Sequence, residues 1–145
     1  MEPVQNVIHF AEDPFASFLK QEAILRKNLR KLPADDEPIG FVQASVIVAC
    51  PYVSLESFIM SSRGPRAIAD TRMVAMCMCY RLGLGGYKAI GDRFGWRDHS
   101  TVLRACESVA RSIDILGDQY LRCLNTVLLR LHQRLAKPDI IAMKF

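Results

Sequence analysis

From residue 13 onward the apolar positions recur at spacings of three and four rather than two, the period of helix faces turned toward a core. Phe15, Phe18, Leu19, Ile24, Leu25 and Leu29 form the first stripe, opened by Asp13 as a cap with Pro14 behind it and closed before Pro33. Arg26, Lys27, Arg30 and Lys31 gather near its C-terminal end, where cations complement the helix dipole. Pro33 to Pro38, acidic and bounded by prolines, is linker-like but too short to separate two cores. Residues 39–50 are apolar, and β-branched Val46, Ile47 and Val48 would suit a strand. Pro51 breaks that run, and Ser54 can cap a short helix through Met60. A turn from Ser61 to Arg66 leads into a longer helix from about Ala67 to Leu82. Met73, Met76, Cys77 and Tyr80 share one side of it, a stripe that suits core packing better than a cofactor site.

Between Tyr87 and Arg111 the pattern predicts two helices joined by a turn of about three residues. Ile90 and Phe94 supply the first apolar stripe, Gly95 can take the positive φ that ends a helix, and Asp98 can cap the next. Val102, Cys106, Val109 and Ile113 then follow at core-facing spacing, with Arg104, Ser108 and Arg111 on the other side. His99, Ser100 and Thr101 occupy the first turn, where orphan backbone N–H groups also attract phosphate. This is the outline of a helix-turn-helix whose second helix presents donors and acceptors at its tip, within reach of base edges in a major groove. A last helix, from Gly117 to about Ala136, carries Tyr120, Leu121, Leu124, Val127, Leu128, Leu131 and Leu135 on one face.

Charge sharpens this picture. Residues 61–112 hold nine Lys or Arg against four acids, so they carry +5 of a total of +4 and leave −1 for the rest. A basic stretch is often only a solvated face, but its coincidence with a helix-turn-helix points to phosphate neutralisation. At 145 residues the chain has room for one core. Its five cysteines, Cys50, Cys77, Cys79, Cys106 and Cys123, lie at apolar positions without a CxxC pair, and are expected to be reduced core residues rather than metal ligands. Neither a membrane span nor a signal peptide is indicated, so a cytoplasmic location is expected. Gly83-Leu84-Gly85-Gly86 lacks the Lys-Ser/Thr of a phosphate loop, so neither nucleotide nor other cofactor is expected. No nucleophile or metal partner is placed to give His99 a catalytic role, and an enzyme is not expected.

Residues 94–106, FGWRDHSTVLRAC, resemble the signature of domain IV, the DNA-binding domain of the bacterial replication initiator DnaA, usually written FGGRDHSTV or FGGRDHTTV. The likeness runs from about Val42 to Leu116. It takes in Arg63 to Arg81, similar to the family's basic loop and long helix, and Ala89-Ile90-Gly91, which matches its short helix. The resemblance implies an all-α helical bundle around the helix-turn-helix, a helix rather than a strand over residues 39–50, and binding to double-stranded DNA. Carried over to this chain, it places Arg63, Arg66 and Arg72 on phosphates or in the minor groove. Lys88, Arg97, Asp98, His99, Ser100, Thr101 and Arg104 would lie at or around the recognition helix, with His99 on a base. Arg97 and Asp98 could equally pair with each other and shape the turn.

Three departures bear on which DNA sequence is recognised. Met73 stands where the family has glutamine beside Arg72, and of a longer basic cluster only Arg63 and Arg66 remain. Trp96 replaces the second glycine of the turn; it can pack on the helix pair and change its tilt, lie against a sugar-phosphate strand, or be a buried hydrophobe. The expected organisation is an N-terminal helix and linker at 1–38, the DNA-binding domain at 39–116 and a C-terminal helix at 117–145. The terminal helices, outside the family likeness, either cover the core or offer a homodimer surface. The expected function is a sequence-specific regulator of transcription or replication in the bacterial cytoplasm, associated with the nucleoid and without ATPase activity. The competing reading is a protein-interaction module with a vestigial DNA face.

Overall fold

A computed structural model describes residues 13–60 and 64–144, with side chains of the last helix described as far as residue 136. A 3-10 turn at Ala16–Phe18 precedes seven α-helices: α1 Leu19–Leu29, α2 Pro38–Ala49, α3 Leu55–Ile59, α4 Arg66–Arg81, α5 Tyr87–Arg93, α6 His99–Arg111 and α7 Ile113–Lys144. No strand occurs among the described residues, and the architecture is the all-α bundle expected. None of the described helices is long and apolar enough to cross a membrane.

Residues 39–50 form a helix despite their β-branched side chains. Pro38 sits in the first turn, and the Glu37 side chain accepts hydrogen bonds from the Ile39 and Gly40 amides at 3.1 and 2.7 Å. Ile39, Val42 and Val46 then fall on one face and are buried against α4 and α7. Local propensity yields here to packing.

The central element is α4, surrounded by α2, α6 and α7. The stripe expected on it is too narrow: Val74 through Cys79 are all buried, including Met78 and Cys79, whereas Tyr80 is partly exposed. All five cysteines are free, and all but the half-buried Cys106 are fully buried. The adjoining Cys106 thiol and burial push the Cys77 thiol up, while burial does the same to Cys79, so both stay protonated and act as packing groups.

The first helix is less regular than its apolar pattern suggests. The Asp13 carboxylate accepts from the Phe15 amide at 2.9 Å, but the helix opens as the 3-10 turn. Phe15, Phe18, Leu25 and Leu29 are buried, whereas Leu19 and Ile24 are exposed. In their place Glu22 points inward. Its fully buried carboxylate accepts from Arg81 Nε and Nη2 at 2.7 and 2.8 Å and from the Tyr120 hydroxyl at 2.6 Å. Burial works against the Arg81 charge, but Glu22 outweighs it and raises the guanidinium pKa. Phe15 lies under the same guanidinium, 3.9 Å from ring centroid to Cζ. One polar cluster thus joins α1, α4 and α7.

The C-terminal helix also differs from expectation. It begins at Ile113 rather than Gly117, and only Ser112, at φ −108°, separates it from α6. Gly117 lies inside the helix, so the glycine is not the break. The buried face is as expected at Tyr120, Leu124, Val127 and Leu131, with Leu121, Leu128 and Leu135 partly covered. Arg130 donates to the Ser45 hydroxyl at 2.7 Å and Arg134 to Asp36 at 2.7 Å, fastening α7 to α2 and the segment before it. Both terminal helices therefore pack on the bundle.

Candidate nucleic-acid interface

The short helix α5 buries Ile90 and brings Gly91 against the turn that follows. The Gly91 carbonyl accepts from the Phe94 amide at 3.1 Å and the Arg97 amide at 2.9 Å, and a Cβ on Gly91 would lie 2.2 Å from the Arg97 carbonyl oxygen. Phe94, the helix cap, is buried edge-on against Phe58 with ring centroids 5.4 Å apart. Asp98 caps α6, so three residues, Gly95 to Arg97, lie between the caps, the turn length expected. Gly95 takes φ +85°, and a Cβ there would meet the Ile59 carbonyl oxygen at 2.4 Å. The end of α3 is therefore pressed onto the turn.

At the tip of α6 the Asp98 carboxylate accepts from the Ser100 amide at 3.1 Å and from the Ser100 hydroxyl. These donors, with His99 beside them, hold the Asp98 carboxyl below its ordinary value of 3.8. Asp98 consequently shapes the helix end, and the hydroxyl hydrogen of Ser100 is turned inward. His99 is left pointing out, with its Nδ1 3.4 Å from Asp98 Oδ1 and its side chain 67% exposed. Thr101 is half-buried, and its amide closes the turn onto the Asp98 carbonyl at 2.9 Å. Val102, Ala105 and Val109 anchor the helix in the core, and Arg104 and Arg111 are exposed. Cys106, expected on the core face, is only half-buried, and Ala105 takes its place in the stripe.

The other expected contacts separate into surface and structural groups. Lys88 and Arg66 are exposed, each beside an acid one turn on: Lys88 Nζ lies 3.3 Å from Asp92 and Arg66 Nε 3.8 Å from Asp70. Arg63 lies outside the described residues, as do Ser61 and Ser62. Arg72 departs from the surface role expected of it. It is buried, and its Nε and Nη2 donate to the Ser57 carbonyl at 3.1 and 2.7 Å. Burial and the neighbouring Arg97 charge lower its pKa. Arg97 makes no pair with Asp98; its Nη2 donates instead to the Met60 carbonyl, and burial lowers its pKa. Two guanidinium groups thus grip carbonyls at the C-terminal end of α3, where the helix dipole is negative. Met73, half-buried, packs against the core.

Trp96 is not a buried hydrophobe. It is 80% exposed and takes φ +58°, the one non-glycine residue in the left-handed region among those described. The sequence pattern did not reveal that the end of α3 meets the residues on either side of Trp96, the Ile59 carbonyl facing Gly95 and the Met60 carbonyl bonded to Arg97.

The arrangement is a rigid, capped helix tip set in a turn built around Gly91 and Gly95. Residues 46–109 match the family model of the bacterial DnaA protein helix-turn-helix. Over this segment the chain is DnaA domain IV-like. The matched segment runs from the second half of α2 to Val109 in α6, so the DnaA-like helix-turn-helix contains every described residue of the candidate interface. The family is a DNA-binding one. The terminal helices α1 and α7 lie outside the match.

Proposed function

We propose that the chain binds double-stranded DNA in a sequence-specific manner, as a regulator of transcription or replication that uses no nucleotide. The observation that carries this reading is the tip of α6, where His99 projects from a helix end whose own cap is already satisfied by Asp98. A side chain projecting from a capped helix end can meet a base edge without rearrangement of the backbone that carries it. His99 and Thr101 are assigned to base reading, Arg66, Lys88 and Arg104 to phosphates, and Asp98, Arg97 and Arg72 to holding the tip in place. Ser100 serves both purposes, capping through its hydroxyl hydrogen and keeping its lone pairs for DNA.

Selection from a random duplex library, followed by a salt series on the enriched sequence, tests this. The expected result is one enriched motif whose affinity falls steeply with salt. No enrichment and no salt-dependent binding would overturn the reading and favour a protein-interaction module. Trp96 departs from the DnaA pattern at the turn and is exposed there, so the enriched motif is expected to overlap the DnaA box and differ at its flank.

A further inference from the structure

Trp96 is the chain's single tryptophan, and both its conformation and its exposure run against its residue type. A bulky L-residue at positive φ crowds its Cβ against the carbonyl, and such outliers persist where the surrounding structure holds them. The holding structure is visible here. Gly95 and Trp96 reverse the chain with two successive positive φ values, 85° and 58°, and Arg97 is then pinned to the Gly91 and Met60 carbonyls. The side chain consequently leaves the backbone on the solvent side, 80% exposed, two residues before the cap of α6. Beside the turn lies the end of α3, whose Ile59 and Met60 are each 51% exposed.

An apolar patch alone would not say what covers it. The charge of the flanking residues does: Arg97 follows Trp96 in the chain with its guanidinium on the Met60 carbonyl, exposed Arg66, with Asp70 one turn on, opens α4, and Asp98, two residues beyond Trp96, is committed to the cap. A flat aromatic face within a cationic frame suits a polyanion that carries rings and sugars. Resting on the duplex-binding reading above, we propose that Trp96 is a stacking contact on DNA. Its ring lies on a deoxyribose, or on a base opened from the stack, beside the groove that receives the tip of α6, with Ile59 and Met60 as its apolar flank. Every base and every sugar offers such a face, so Trp96 contributes affinity without reading sequence and favours steps that open or kink easily.

The single tryptophan reports on its own surroundings. With the full chain and the selected duplex, emission should be quenched saturably, with the same dissociation constant as fluorescence anisotropy of labelled DNA. Trp96→Gly suits the positive φ and removes the ring; it should lose about tenfold in affinity for selected and random duplexes alike, with Tm unchanged or raised. Trp96→Phe should retain most of the affinity. Scanning single abasic positions through the site distinguishes the two contacts: quenching lost at one position identifies a base, and quenching retained throughout identifies the sugar. Unchanged emission at saturating duplex, or a Trp96→Gly affinity equal to the parent's, would overturn the proposal and leave the patch to a protein. Failure of the parent chain itself to bind any duplex would show in the anisotropy titration and would instead sink the duplex-binding reading.

Discussion

The arginines of α4 and of the turn meet two different environments. At the C-terminal end of α4, Arg81 binds the buried Glu22 carboxylate through two hydrogen bonds, and its charge is neutralised within the protein. Nearer the N-terminal end, Arg72 and the adjacent Arg97 bind carbonyls, and among the described residues neither is paired with an acid. Arg93 resembles Arg81, pairing with Glu37. Both of these carboxylates come from outside the basic segment, one from α1 and one from the cap of α2. The segments outside the family match therefore pair off Arg81 and Arg93, whereas Arg72 and Arg97 keep their charge on carbonyls beside the turn. What matters for a polyanion is the charge left unpaired, which a count of basic residues overstates.

Removing the buried partner tests the first environment most severely. Arg81→Ala leaves Glu22 enclosed without its counter-ion and should cost about 3 kcal/mol of stability, read by denaturant or thermal unfolding. Duplex affinity measured where the variant is folded should stay close to that of the parent. An equal loss in both would mean that the two ends are not separable.

At the tip the effect should invert. His99→Ala and Thr101→Ala are each expected to lower affinity for the selected duplex by about 1 to 3 kcal/mol, with random duplexes and Tm little affected. Equal losses on both kinds of duplex would remove the base-reading role. Arg66 and Arg72 sharpen the contrast within one helix. Neutralising exposed Arg66 should reduce the salt slope by roughly one counterion, whereas neutralising buried Arg72 should reduce stability and leave the slope nearly unchanged.

The smallest effect concerns acid. The Asp98 carboxyl is held below 3.8, so the stability its cap contributes is present above that value and is lost as pH falls through the lower folded-state value. Amide exchange in the first turn of α6 should therefore be insensitive to this group from neutrality down to pH 3.8 and accelerate below it, once the intrinsic pH dependence of exchange is removed. Loosening at pH 5 would indicate a different titrating group.

Much of this was legible in the sequence, where local chemistry decided it. Ser54 and Asp98 cap the helices they precede, Gly95 takes the positive φ its place in the turn demands, and the buried face of α7 follows its period. The rest depended on partners far along the chain. Glu22 lies in a polar stretch of α1 and looks solvated until Arg81, 59 residues later, turns toward it. Arg72 looks like surface charge until the end of α3 supplies a carbonyl. Periodicity also carried no sign of the break at Ser112, because the apolar stripe runs through it from Val109 to Ile113 without losing step.

That break has a mechanical consequence. A single serine joins α6 to a helix of 32 residues, about 48 Å long, which is clamped along α1, α2 and α4. With only two soft dihedrals at the joint, the pitch of the recognition helix is indexed to this long rod as a pointer is to its shaft. A loop of several glycines in place of Ser112 would uncouple the two and let the pointer swing, while each helix kept its own packing.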